Sequence, residues 1–127
     1  LIPAHNLLRL DAAGAFLTCV ITGAVFATGL LPTGIPAMVL AGLALGALGL
    51  CVFGLTGLAR PGRAVGTLRR LALLNATFCG VSAVVWGWHF AQLTVWGLLY
   101  FPLEIAVVLA LSCVEWRVSG RATVGGV

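Results

Sequence analysis

Residues 36–59, PAMVLAGLALGALGLCVFGLTGLA, run without a single charged side chain. At about 1.5 Å per residue, a helix of that length crosses a hydrocarbon core of roughly 30 Å. An uninterrupted apolar run this long has no polar face to offer water, so the stretch sets the class of the whole chain. Working outward, runs of the same character occupy 11–31, 68–90 and 95–116. LLPTGIPA separates the first two, and its prolines and glycine favour a tight turn over continued helix. ARPGRAVGTLRR and HFAQLT make the other two connections.

Composition agrees with this division. The chain has 127 residues, 61% hydrophobic and 8% charged, where soluble domains carry roughly 25% charged residues. The expectation is an all-α fold, a four-transmembrane-helix antiparallel bundle forming a single membrane domain over 1–127. A signal peptide over the first run is disfavoured by its length and by Asp11 at its front.

The formal net charge is +4, and every basic side chain is an arginine. Arg9, Arg60, Arg63, Arg69, Arg70, Arg117 and Arg121 all fall on one side of a four-span chain, and neither opposite loop has a formal charge. The positive-inside rule then places both termini in the cytoplasm of a bacterial inner membrane. The arginines read as topology signals, so the partner is the lipid bilayer and no nucleic acid is expected.

Asn75, Cys79, Ser82, Trp86 and His89 follow one another at helical seam spacing and share one face of the third span. Polar groups are costly against lipid, so this face should point inward. On the fourth span, Tyr100, Glu104 and Glu115 share a face. Folding back through HFAQLT brings Glu104 level with Ser82, Tyr100 with Trp86, and Glu115 with Arg70. Glu104, Tyr100, Ser82, Asn75, Trp86 and His89 are the candidate intramembrane polar site. Pro102 predicts a kink one turn before Glu104.

An ionised acid near the midplane costs about 2.5–3.5 kcal/mol on insertion scales. No arginine lies at that depth, so Glu104 is expected to rest protonated. Such a group can carry a proton in a transporter, bind a cation, or hold helices together.

Arg9, Asp11, Glu115 and Arg70 form a second candidate cluster at the cytoplasmic mouth. An Arg9–Glu115 or Arg70–Glu115 ion pair is expected, with Asp11 capping the first helix. Gly42, Gly46 and Gly49 give the second span a small-residue face, with GLALG a literal GxxxG. Packing within the chain is the favoured use of that face; a homodimer or larger membrane complex is the other. The cysteines fall one per span with no CxxC and read as ordinary small buried residues. No metal and no cofactor is expected, and no catalytic residues stand out: there is no nucleophile–base pattern, phosphate loop or nucleotide signature.

NLLRLDAAGA, GIP, LLNATF and YFPLEIAVVLALSCVE together resemble a group of small uncharacterised bacterial four-helix integral membrane proteins. The resemblance spans nearly the whole chain and implies the architecture alone. For function, the leading expectation is a non-enzymatic membrane subunit or scaffold whose polar seam around Glu104 holds the bundle. One alternative is a dimeric proton-coupled carrier or channel for a small solute that uses Glu104. Another is a membrane-embedded enzyme acting on lipid or quinone.

Overall fold

The computed structural model describes residues 4–60, 62 and 64–125. Helix α1 covers Ala4–Val20 and continues as a π-helical turn over Ile21–Phe26. Helices α2 (Ala37–Ala59), α3 (Ala64–Trp88) and α4 (Val95–Gly125) follow, with a 3-10 turn at Phe90–Gln92 between the last two. All four helices are long and apolar enough to cross a membrane. This is the build of a multi-pass membrane protein.

The largest departure from expectation is the start of α1. The helix begins at Ala4, so Asp11 lies two turns inside it and does not cap it. Leu7, Leu8, Asp11 and Ala12 are buried while His5, Asn6, Arg9 and Leu10 are exposed. That alternation is a helical face, and it seats Leu7 and Leu8 against Leu50, Leu68 and Leu71. The polar letters of HNLLRLDA hide an amphipathic turn that read as a lead-in. Pro102 lies inside α4 without ending it.

Packing is uneven around the bundle. Helix α3 lies closely along α4, and α1 along α2, whereas α1 and α4 touch sparsely. Two apolar clusters stack along the bundle. Leu7, Leu8, Leu50, Leu68 and Leu71 fill the end that carries the termini, and Phe26, Ile35, Leu40, Leu43 and Phe101 fill the other. Phe78 flanks both. In a bilayer such clusters hold by close fit, because lipid tails are as apolar as leucine.

The loops between α1 and α2 and between α3 and α4 are stitched together. Thr94 N–H donates to the Thr33 carbonyl at 3.0 Å, and the Thr94 hydroxyl donates to the carbonyl of Pro32. Gly34 has φ +91°, and a Cβ there would collide with the Gln92 carbonyl oxygen. Only glycine allows that approach. By chain position Arg9, Arg60, Arg69, Arg70 and Arg117 gather at the opposite end of the bundle; Arg63 lies outside the described residues.

The GxxxG face packs within the chain, as expected, only at Gly46. A Cβ at Gly42 or Gly49 would meet nothing within 4 Å, and one at Gly46 would reach only the Phe78 ring, at 3.3 Å. Helix α2 buries the other side, through Leu40, Leu43, Ala47, Leu50, Gly54 and Gly57. Close approach falls at Gly57, where a Cβ would stand 2.6 Å from Thr67, and at Gly97, 2.7 Å from the Thr33 carbonyl oxygen.

Candidate functional site

Asn75, on the inward face of α3, is the centre of a buried polar clasp. Its Nδ2 donates to Asp11 Oδ2 at 2.7 Å and to Glu115 Oε1 at 3.1 Å. Asp11, Asn75 and Glu115 are 4%, 2% and 0% exposed, so the three groups join α1, α3 and α4 away from solvent. Both amide hydrogens are thereby used. The Glu115 carboxyl also lies against that of Asp11. Glu115 Oε2 finds no donor among the remaining groups. Two carboxyl groups side by side in a low dielectric depend on the Asn75 amide, whose two N–H groups they divide between them.

The expected arginine partners are elsewhere. Arg9 and Arg70 are exposed, and neither pairs with Glu115. Arg69 lies over the Trp116 ring, 4.4 Å from its centroid. Drawing a guanidinium into this interior would carry a large desolvation cost, which a neutral amide avoids.

Beside the clasp, where α1 and α4 part, is a cavity of about 280 Å³. Asp11 and Asn75 close it towards the termini, Glu104 and Tyr100 line its other half, and Phe78 and Leu50 contribute apolar wall. Glu104 Oε2 is buried without a hydrogen-bond partner. Tyr100 faces Glu104, Thr18 and Thr22. The π-helical turn supports this arrangement: Ala27 N–H reaches back five residues to the Thr22 carbonyl, at 2.9 Å. The turn leaves Thr22 only 1% exposed and brings Phe26 edge-on to Tyr100, with centroids 4.8 Å apart. Single π turns of this kind recur beside functional sites.

Of the six residues proposed for the intramembrane site, Asn75, Tyr100 and Glu104 line this cavity; Ser82, Trp86 and His89 do not. Ser82 is 1% exposed, and its Oγ has no partner. Trp86 packs edge-on against Phe90 at 5.1 Å. His89 Nδ1 sits 2.9 Å from the Val85 carbonyl of its own helix, which ties the ring to the end of α3. Cys79 Sγ approaches the Ile105 carbonyl at 3.8 Å, and Ser112 donates to the Ala72 carbonyl at 2.6 Å. That register sets Glu104 level with Cys79, about a turn from Ser82. Asp11, Thr18 and Thr22 were not read as part of the site, although seven- and four-residue steps put them on one helical face.

Fold and site together define a small multi-pass α-helical membrane protein with a buried polar clasp and an adjoining acid-bearing cavity. Comparison of the chain with protein-family models, curated proteins and solved structures gives no match.

Proposed function

We propose that this protein is a proton-coupled carrier of a small solute, with Glu104 as the coupling acid, and that it is not an enzyme. One observation carries the reading: the structural and exchangeable acids are different residues. Asp11 and Glu115 are joined across helices by Asn75, whereas Glu104 lines the cavity and its side-chain partner, Tyr100, stands one turn away on its own helix. An acid kept only as glue would reach a partner on another helix, as Glu115 does. Around Glu104 stand Tyr100 and Thr18, groups that can stabilise a bound solute. The arginine distribution supports a bacterial inner membrane with cytoplasmic termini.

The test is flux into proteoliposomes loaded with a pH-sensitive dye. Wild type should couple solute entry to proton movement, and Glu104→Gln should abolish the coupling while reconstituting equally well. Undiminished coupling in Glu104→Gln would remove the acid from the mechanism.

A second reading is favoured by the open face of α2. With nothing within 4 Å of a Cβ at Gly42 or Gly49, that face is free to take a helix of a second copy or of a larger membrane complex. Bulky substitutions there, such as Gly49→Leu, should then lower the oligomer size of the purified protein.

A further inference from the structure

We propose that the cavity between α1 and α4 takes a small lipophilic organic cation, an ammonium group on an apolar body, which enters sideways from the lipid phase. The proposal rests on the carrier reading for turnover and adds the class of cargo.

Charge complementarity is the first argument. Two carboxyl-bearing residues, Asp11 and Glu104, stand among the lining side chains, and no arginine or histidine does. Among the described residues the cations nearest in sequence, Arg9, Arg69 and Arg70, are exposed. A neutral solute would leave the charge of an ionised Glu104 uncompensated. An anion would be repelled by it.

Shape and surface chemistry narrow the class further. The volume, about 280 Å³, lies at the lower edge of small-molecule sites, which run from roughly 300 to 1,000 Å³. The rings of Phe78 and Tyr100 in the lining suit an alkylated ammonium, which aromatic faces attract. A strongly hydrated inorganic ion would give up its water against a mostly apolar wall; an organic cation brings its own apolar surface.

The doorway follows from exposure. Leu17 on α1 and Leu103 and Val107 on α4 line the cavity, yet are 59%, 65% and 59% exposed. They are the lips of a slit between two sparsely touching helices, facing where acyl chains would lie. When the cation arrives, the Glu104 carboxylic acid releases its proton to bulk water and the carboxylate takes the ammonium charge. One positive charge replaces another in the cavity, so the exchange is electroneutral at that site.

Benzyltrimethylammonium and neopentylbenzene test this directly, being nearly equal in shape and differing in charge. Binding to the purified full chain in lipid nanodiscs is followed by the cation's N-methyl NMR signal. The expected result is saturable binding of the cation, weakened at least tenfold by Glu104→Gln, with neopentylbenzene competing poorly. Gly14→Leu supplies a second variant, because Gly14 lines the cavity and a Cβ there meets nothing within 4 Å. It should block binding while leaving both acids in place. Equal competition by neopentylbenzene would mean an apolar filler, such as a lipid tail, and would overturn the cation. Undiminished binding in both Glu104→Gln and Gly14→Leu would place the cation elsewhere and equally overturn it. Proton-coupled uptake of uncharged solutes, lost in Glu104→Gln, would then still uphold the carrier reading; no such uptake of any solute would end that reading too.

Discussion

Asn75 donates to Asp11, sixty-four residues before it in the chain, and to Glu115, forty residues after it, through the two hydrogens of a single amide nitrogen. Three helices meet at that nitrogen. Removing it should therefore be among the most damaging single changes in the bundle. Asn75→Leu leaves two buried carboxyls without a donor, at an expected cost of about 2–4 kcal/mol. Thermal unfolding in detergent checks this, and Asn75→Gln, which keeps the amide, should lose less.

Glu104 should behave in the opposite way. Its side-chain partner, Tyr100, lies on the same helix, so replacing it breaks no bond between helices. Glu104→Gln is expected to change stability by less than about 1 kcal/mol, and Glu104→Leu to hold or raise the unfolding midpoint. A fall as large as that of Asn75→Leu would return the acid to a clasping role.

Glycine positions divide sharply. Gly34→Ala and Gly57→Ala should destabilise the protein, the first through its left-handed φ and the Gln92 carbonyl, the second through Thr67. Gly42→Ala and Gly49→Ala enter open space and should gain up to about 1 kcal/mol from helix propensity alone. Unfolding midpoints of the four variants, measured side by side, give the comparison.

The Arg69–Trp116 contact predicts a small effect. With the guanidinium 4.4 Å from the ring centroid and both side chains exposed, the coupling should be about 0.5–1 kcal/mol. A double-mutant cycle of Arg69→Leu with Trp116→Leu measures it.

Much of this was legible from residue order. The unbroken run at 36–59 and its three companions defined the helices, because hydrophobic length is a direct demand of the bilayer. Asn75, Tyr100 and Glu104 were recognisable as inward-facing, since polar atoms on an apolar helix have few places to go. What escaped was pairing between distant helices. Asp11 looked like a cap because a charged residue before an apolar run usually is one, and nothing local reveals an amide waiting on α3. Likewise, GLALG marks closeness without naming a side. Which face α2 buries was decided by the leucines at 40, 43 and 50, not by the glycines. His89 was drawn into the site by its spacing, but a ring that can bond its own helix needs no partner across the bundle.

The tie that Thr94 makes to Pro32 and Thr33 has a mechanical consequence. It pins the two pairs, α1 with α2 and α3 with α4, at one extremity, as a rivet pins the arms of tongs. At the arginine-bearing extremity the short connection from α2 to α3, and the packing of Leu7 and Leu8 on Leu68 and Leu71, hold the same two pairs. The give in the bundle is left to its middle, along the seam where α1 and α4 touch sparsely.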